Sequence, residues 1–223
     1  MSNLSQLLAL FELENPEKLI LLNANELKGA HVPPFQPDFP VLLWGEPPLD
    51  LDAIRIILQT TYVDSHFLRV IDRRGVVTNL NLELLITSDQ NAEINAIFIP
   101  PLEAGTSLSA FQEIIAHLRA PDGCPWDKIQ THQSLRQHLL EESYEALEAM
   151  DAGDSVGMAE EFGDLLLQIV LNAQIATEIG NFRMNDIIKG IYDKIVRRHP
   201  HVFGEGQVDG VGEVLKNWEQ LKE

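Results

Sequence analysis

Two acidic stretches decide how this chain is organised, Glu141-Glu142-Ser143-Tyr144-Glu145 and Glu161-Phe162-Gly163-Asp164. Each contains carboxylates three residues apart, and on an α-helix that spacing places both side chains on one face, about one turn apart. Gly153 and Asp154 lie between the two stretches, so we expect a short connection and an antiparallel helical hairpin. Such a hairpin would bring four carboxylates together.

Helical periodicity indicates which carboxylates of the first helix face inward. At about 100° per residue, Glu142 and Glu145 border the edge of an apolar arc. Glu141 instead lies on the solvated side. The arc is formed by Leu135, Leu139, Leu140, Ala146, Leu147 and Met150. We therefore predict that Glu142 and Glu145 are the pair that faces the second helix.

The second helix is apolar nearly all round between Leu165 and Ile179, so the pattern predicts a buried helix. A narrow polar stripe interrupts it, formed by Glu161, Asp164, Gln168 and Asn172. Buried carboxylates are costly unless they are paired or bound to metal. The two helices together therefore predict one divalent-metal site, with the ligands Glu142, Glu145, Glu161 and Asp164.

The ligand chemistry indicates which metal such a site would take. Neither stretch contains a Glu-x-x-His pair, which argues against a di-iron oxidase bundle. A site built only from carboxylate oxygens favours Mg²⁺, with Mn²⁺ as the alternative.

Residues from about Leu108 to Glu223 resemble the MazG family of nucleoside triphosphate pyrophosphohydrolases. The motifs that carry the resemblance are Cys124-Pro125-Trp126-Asp127, Gln130-Thr131-His132, the two acidic stretches and Arg197-Arg198-His199-Pro200-His201-Val202-Phe203. The resemblance implies an all-α fold, a homodimer or larger homo-oligomer, and Mg²⁺-dependent hydrolysis of a nucleoside triphosphate to monophosphate and pyrophosphate. It also implies that catalysis and metal binding belong to the same four carboxylates that periodicity selects.

A phosphate substrate needs basic groups beside the metal. Lys194 and Arg198 are four residues apart near the end of a helix predicted from Met184 to Arg198, so both can reach one phosphate chain. On a last helix, predicted from Val211 to Lys222, Trp218 could stack on a base and Lys222 could contact phosphate. The full predicted set of substrate-binding residues is Trp126, Asp127, Asn172, Lys194, Arg198, Trp218 and Lys222.

The residues before the hairpin predict a small α+β domain over 1–102, followed by a linker over 103–107 and the all-α domain over 108–223. Helices are predicted at Leu4–Leu13 and Asp50–Tyr62, and strands at Lys18–Leu22, Phe39–Trp44, His66–Ile71, Leu80–Ile86 and Ile94–Ile99. The overall fold class is therefore α+β. Ser107 or Ser109 should cap the helix after the linker, and Thr131 or Ser134 should cap the first acidic helix.

Residues from about 20 to 102 weakly resemble the trailing part of a tetrapyrrole methylase domain. The resemblance rests on the Pro-Pro-Phe-x-Pro segment that begins at Pro33 and on the Ile-Pro-Pro-Leu segment that begins at Ile99. The leading half of that methylase family has no counterpart, and no glycine-rich turn follows a strand. We therefore interpret this domain as a vestigial packing or dimerisation module.

Composition excludes several classes of protein. The formal charge of −18 argues against binding a nucleic-acid backbone. No apolar run approaches the roughly 20 residues that cross a bilayer, and the first residues lack the pattern of a signal peptide, so we expect a cytoplasmic protein without membrane contact. The single cysteine, Cys124, is interpreted as a residue of loop packing.

Three functions remain open at the level of the sequence. The first is a general house-cleaning pyrophosphohydrolase acting on NTP or dNTP. The second is an enzyme with the same fold and metal site but a narrower substrate, dUTP or phosphoribosyl-ATP. The third is a nucleotide-binding regulatory module that retains the bundle with negligible turnover.

Overall fold

The structure is a computed structural model of the 223-residue chain, and it describes residues 4–11, 13, 17–86 and 93–220. The chain separates into two compact units, Met1–Phe111 and Gln112–Glu223. The first contains a five-stranded sheet and the second is helical, which confirms the predicted α+β class. Across the described residues, no helix is both long and apolar enough to span a membrane.

The N-terminal unit is built on a mixed sheet with the strand order β1-β2-β5-β3-β4. Strands β1 and β2 are parallel, and the other neighbours are antiparallel. The elements in chain order are α1 (Leu4–Leu10), β1 (Ile20–Asn23), a 3₁₀ turn (Ala24–Leu27), β2 (Val41–Trp44), α2 (Leu51–Gln59), β3 (Phe67–Asp72), β4 (Val77–Asn81), a second 3₁₀ turn (Leu82–Leu84) and β5 (Ile94–Ile99).

Both faces of this sheet are covered, which explains why the central strand β5 is buried at every position. One face packs with α2 and the 3₁₀ turns in a cluster that includes Leu43, Ile97 and Leu58. The opposite face packs with Phe11, which contacts Phe98. A strand such as Ile94–Ile99, apolar at every position except Asn95, is expected where helical elements lie on both sides of a sheet.

The strand predicted at Leu80–Ile86 is wrong in its bounds. Strand β4 begins at Val77, directly after the turn, and ends at Asn81. Leu82 and Leu85 then bury their side chains while Leu84 stays exposed. Buried positions three apart match the three residues per turn of a 3₁₀ helix, and they override the alternation that a strand would need.

The C-terminal unit is centred on the predicted helical hairpin. Its helices, beginning with one that starts in the first unit, are α3 (Leu108–Arg119), α4 (Pro125–Lys128), α5 (Arg136–Ala152), α6 (Ser155–Glu178), α7 (Met184–Arg198), α8 (Pro200–Phe203) and α9 (Val211–Gln220). Gly153 ends α5 with a left-handed φ of 67°, which glycine adopts without steric cost. Asp154 then caps α6 by accepting from the N–H groups of Val156 and Gly157.

Of the two helix caps predicted from the sequence, one is confirmed and one is wrong. Ser107 caps α3, because its Oγ accepts from the N–H of Ala110. The predicted cap of α5 is wrong, since α5 begins at Arg136 without a side-chain cap. Thr131 and Ser134 instead exchange hydrogen bonds in the turn that precedes α5.

In a single chain, the burial predicted for the helix between Leu165 and Ile179 is observed on one side of α6 only. Its inner side is buried, but Phe162, Leu166 and Ile169 are 49%, 38% and 43% exposed. Much of the predicted apolar arc of α5 is exposed too, at Leu139, Leu140, Leu147 and Met150, as is the apolar face of α7 at Ile188, Ile191 and Ile195. A helix that is apolar nearly all round has more surface than the other helices of one chain cover.

Candidate metal centre

The hairpin brings three glutamates together, and we call Glu142, Glu145 and Glu161 the carboxylate cluster. Glu142 and Glu145 lie on α5 and Glu161 lies near the start of α6. One carboxylate oxygen of each residue lies within 4.8 Å of those of the other two. Antiparallel packing creates this arrangement, because it aligns the middle of α5 with the first turns of α6.

Asp164, the fourth predicted ligand, lies outside this three-residue group but close enough for its charge to interact with Glu142 and Glu161. Its negative charge is among the causes that raise the pKa of Glu142 and of Glu161. Asp164 follows Glu161 by three residues on α6 and therefore shares its face. The structure thus places all four predicted ligands in one acidic region, with three of them in close contact.

The electrostatics of the cluster are unfavourable when it is fully ionised. Burial is the largest cause of the raised pKa of Glu142, followed by the charges of Asp164, Glu145 and Glu161. Burial also leads for Glu161, whose pKa is raised further by Glu145 and Asp164. Both effects penalise the charged form, and no cation in the described part of the chain forms an ion pair with the cluster.

These residues fit a hard divalent cation. The Oε2 atom of Glu161 is buried and has no hydrogen-bond partner among the described residues. A buried carboxylate oxygen without a donor is costly, and a bound cation removes that cost. All the available ligand atoms are carboxylate oxygens, which is the donor set that Mg²⁺ and Mn²⁺ prefer.

Glu141 lies outside the cluster although it is adjacent to Glu142 in the sequence. It is exposed, it accepts a hydrogen bond from Gln137, and it lies 3.4 Å from Nδ1 of His138. Its partners are therefore on its own helix, on the solvated side.

The polar stripe of α6 continues from the carboxylates to a cavity of about 250 Å³. Asn172 lines this cavity, and its Oδ1 lies 2.7 Å from Nδ1 of His132. Gln168 lines it as well and is buried. The structure therefore places Asn172 beside a cavity, in contact with a histidine that precedes α5.

Trp126 and Asp127 lie on α4, in a loop that a buried arginine holds in place. Nη1 of Arg119 donates to the backbone carbonyls of Asp127 and Gln130. The ring of Trp126 meets the ring of His138 edge to face, with the centroids 6.4 Å apart, and remains exposed. The side chain of Trp126 is therefore accessible beside α5.

The basic residues of α7 are not paired with the cluster in the described part of the chain. Lys194 is exposed. Arg198 lies over the ring of Trp218, 5.3 Å from its centroid, and the ring of His199 meets the same tryptophan at 5.0 Å. Trp218 is thus packed against two side chains rather than open on both faces. Lys222 lies outside the described residues.

Two features of this unit were not predicted from the sequence. Arg119 is one, because its partner Glu178 is 59 residues away and no local pattern links them. The cavity beside Gln168 is the other. The polar stripe of α6 contains Gln168 and could have signalled it, but spacing alone does not show that space remains beside the helix.

The N-terminal unit contains a larger cavity, of about 540 Å³. Its lining comes from the first 3₁₀ turn and the residues that follow it, the residues before α2, and α2 itself. None of the predicted site residues belongs to it.

Comparison with known proteins adds independent information. Residues 130–203 match the model of the MazG nucleotide pyrophosphohydrolase domain. A Bacillus subtilis protein described as "Uncharacterized protein YabN" is 50% identical over 145 residues, covering 62% of this chain and 30% of the relative.

Two further relatives carry functional names. The "Nucleoside triphosphate pyrophosphohydrolase/pyrophosphatase MazG" of Thermotoga maritima is 48% identical over 120 residues, covering 54% of this chain and 46% of the relative. The "Nucleoside triphosphate pyrophosphohydrolase" of Escherichia coli K12 is 48% identical over 110 residues, covering 49% and 42%.

The alignments span less than half of the length of each of these relatives. The match to the family model nevertheless includes both acidic stretches, the hairpin that joins them and the basic end of α7. The part of the chain that matches the MazG nucleotide pyrophosphohydrolase domain, residues 130–203, therefore holds the whole carboxylate cluster.

Proposed function

We propose that this chain hydrolyses a nucleoside triphosphate, NTP or dNTP, to the monophosphate and pyrophosphate. The observation that carries the proposal is the carboxylate cluster, in which a buried Glu161 oxygen has no hydrogen-bond partner among the described residues. The names of two relatives, which describe pyrophosphohydrolases, support the same reaction.

Mg²⁺, or Mn²⁺ in its place, would be held by Glu142, Glu145, Glu161 and Asp164. A bound cation of this kind supplies positive charge at the reacting phosphate and makes water more acidic. The strongly acidic chain needs that charge, because a free triphosphate would otherwise be repelled.

A carboxylate of the protein would also accept a proton from water. Hydrolysis at the α-phosphorus requires a base that removes a proton from the attacking water. A carboxylate of the cluster would be this base. Since the carboxylates interact, they titrate as a group.

The remaining predicted residues would bind the substrate. Lys194, Arg198 and Lys222 would neutralise the outer phosphate oxygens, and Trp126 and Asp127 would contact base or ribose. Arg198 lies over Trp218 in this structure, so its guanidinium would have to leave that ring to reach a phosphate. Trp218 would then have a face free for a base.

The exposed apolar side chains of the hairpin support a homodimer or larger homo-oligomer. Leu139, Leu147, Met150 and Leu166 are exposed in a single chain, and contiguous apolar surface of this kind marks an interface. Light scattering should give a mass of at least twice 25.0 kDa at micromolar concentration. Leu147→Glu should reduce that mass, and a strictly monomeric wild-type protein would contradict the assembly.

We also infer that the protein removes unwanted nucleotides from the nucleotide pool of the cytoplasm. It would have no nucleic-acid or membrane partner. Residues 1–102 would act as a packing or dimerisation module. Deleting these residues should then change the oligomeric mass or the solubility of the protein. No methyl-transfer activity should be lost with them.

A substrate panel tests the proposed reaction directly. Pyrophosphate release is measured from the four NTPs, the four dNTPs, dUTP and phosphoribosyl-ATP, with Mg²⁺, with Mn²⁺ and with chelator. The expected result is metal-dependent release from several triphosphates. Release from dUTP or phosphoribosyl-ATP alone would establish the narrower enzyme. Nucleotide binding without any release would reject the reaction and favour a regulatory module.

A further inference from the structure

Helix α4 is a single turn of four residues, Pro125–Lys128, and such a turn is not stable alone. A helix this short lacks internal partners for the carbonyl groups of its last turn. Two side chains from outside the turn supply donors to them. Nε2 of Gln130 donates to the backbone carbonyl of Trp126 at 3.0 Å, and Nη1 of Arg119 donates to that of Asp127. The position of α4 therefore depends on side chains that lie outside it.

Arg119 joins this turn to the last turn of α6. Its Nε and Nη2 donate to the two carboxylate oxygens of Glu178 at 2.8 and 2.7 Å. Its Nη1 donates to the carbonyls of Asp127 and Gln130. The side chain is 6% exposed, so these bonds form away from water. The planar guanidinium presents all three nitrogens at fixed angles, which the single ammonium of a lysine does not reproduce.

The turn that Arg119 holds lies beside the helix that carries the carboxylate cluster. The ring of Trp126 meets that of His138 edge to face, with the centroids 6.4 Å apart. His138 precedes Glu142 by four residues on α5, so the two share a face and lie about 6 Å apart along the helix axis. Trp126 is 54% exposed. Its ring is therefore accessible beside the turn of α5 that precedes the cluster.

An exposed aromatic side chain adds most to affinity when it is ordered before the ligand binds. Ordering a side chain during binding costs free energy that would otherwise appear as affinity. The hydrogen bonds of Arg119 and Gln130 fix the backbone of α4 in the free protein. Arg119 is itself buried against Glu178, so its effect on a ligand would pass through α4 rather than through contact.

We infer that Arg119 is a positioning residue, which fixes α4 so that Trp126 and Asp127 are in place before the nucleotide binds. Glu178 fixes Arg119 in turn. The inference rests on the proposed function and deepens it, because it assigns control of substrate affinity to a side chain that does not touch the substrate.

The kinetic test is Arg119→Lys, which keeps a positive charge beside Glu178 but loses the planar fork. KM for the best triphosphate substrate should rise by about threefold to tenfold, the affinity equivalent of ordering one side chain. The value of kcat should stay within about twofold, because contacts to base or ribose act equally in the ground state and the transition state. An unchanged KM would overturn the inference.

A spectroscopic test follows α4 without any nucleotide. The chain has three tryptophans, so Trp44→Phe with Trp218→Phe leaves Trp126 as the single fluorophore. Adding Arg119→Lys to this background should lower the fluorescence anisotropy of Trp126, because its backbone is no longer fixed. Equal anisotropy with and without Arg119→Lys would overturn the inference.

Ile115→Ala is the matched control for lost stability. Ile115 is 2% exposed and lies one turn before Arg119 on α3. Its truncation should lower the temperature of thermal unfolding but leave KM and the anisotropy of Trp126 unchanged. Should Arg119→Lys fail to fold, Gln130→Met replaces it, because it removes the donor to the Trp126 carbonyl. The same rise in KM and the same fall in anisotropy are expected from it.

The outcomes separate the two proposals. If the wild-type protein releases no pyrophosphate from any triphosphate with metal, the proposed function is rejected, and the role of Arg119 in it is rejected too. If the wild-type protein is active but Arg119→Lys keeps the wild-type KM, only the positioning role is rejected. A rise in KM as large in Ile115→Ala would reject it as well, since general loss of stability would then explain the effect.

Discussion

Two glutamates at opposite ends of α6 have opposite surroundings. Glu178, in the last turn, receives hydrogen bonds on both oxygens from Nε and Nη2 of Arg119, at 2.8 and 2.7 Å, and another from Gln174. Its pKa is lowered, with the Arg119 hydrogen bond as the largest cause. Glu161, in the second turn, has an oxygen without a hydrogen-bond partner in the described part of the chain, and burial and like charges raise its pKa.

The difference distinguishes a structural carboxylate from a ligand-binding one. The Arg119 pair is complete within the chain, and the bidentate geometry makes it strong. Arg119 is 6% exposed at its side chain and also holds the loop of Asp127 and Gln130. Among the described residues the carboxylate cluster is incomplete, since it concentrates negative charge without a paired cation. If Glu178 bound a ligand, or if Glu161 served only to stabilise the fold, this distinction would not hold.

The largest expected effect comes from neutralising one carboxylate of the cluster. Glu161→Gln should lower pyrophosphate release by at least about 10²-fold, because it removes ligand charge without changing shape. In chelator its thermal stability should equal or exceed that of the wild-type protein, since one source of repulsion is gone. Asp164→Asn should act in the same direction. Hydrolysis and thermal unfolding are measured on the same samples, and full activity in both variants would contradict the metal assignment.

Breaking the structural pair should affect stability instead. Arg119→Met removes the two Arg119 donors from Glu178, which keeps only the Gln174 side chain, and one donor from each of two backbone carbonyls, so we expect a loss of about 2–3 kcal/mol in the free energy of unfolding. Urea denaturation measures this loss. Lys189→Met is the control, because Lys189 forms an exposed pair with Asp193 and its removal should cost less than about 1 kcal/mol. Equal losses in the two variants would show that Arg119 acts only as a surface cation.

The two ends of α6 should respond oppositely to acid in the absence of metal. The folded-state pKa of Glu178 is lowered, so its stabilising contribution is present above the ordinary glutamate pKa of about 4.3 and is lost as pH falls through the lower folded value. The folded-state pKa values of Glu142 and Glu161 are raised, so their ionisation destabilises the folded state as pH rises from the ordinary glutamate pKa of about 4.3 through the raised folded values.

Without metal, stability should therefore be highest at mildly acidic pH. Thermal unfolding between pH 3 and 8 in chelator reads this profile. In Glu178→Gln the decline on the acid side should be smaller, whereas in Glu161→Gln the decline toward neutral pH should be smaller. A wild-type profile that rises steadily from pH 5 to 8 in chelator would be inconsistent with the raised pKa values.

The smallest effect is expected at the carboxylate adjacent to the cluster. Glu141→Gln should keep pyrophosphate release within about twofold of the wild-type rate, because Glu141 is exposed and its partners are Gln137 and His138. Steady-state kinetics measured beside those of Glu161→Gln provide the check. A loss as large as that of Glu161→Gln would mean that the cluster extends to the solvated side of α5.

Local patterns account for most of what could be predicted. The bounds of α7, from Met184 to Arg198, and the strand Ile94–Ile99 agree with the sequence prediction, as does the turn at Gly153 and Asp154. The α-helical period also predicts that Glu142, Glu145 and Glu161 face one region, and in the structure one carboxylate oxygen of each lies within 4.8 Å of those of the other two. Caps, turns and periodicity depend on neighbouring residues, so they can be recognised in a linear chain.

The sequence by itself therefore determined the hairpin, the spacing of its carboxylates and the α+β class. The tertiary structure decided the rest: that Arg119 pairs with Glu178 across 59 residues, that the outer side of α6 stays exposed, and that space remains beside Gln168. A partner in space, a covered surface and a cavity depend on where whole helices lie. Helical periodicity specifies the face of a residue, and only packing specifies what that face meets.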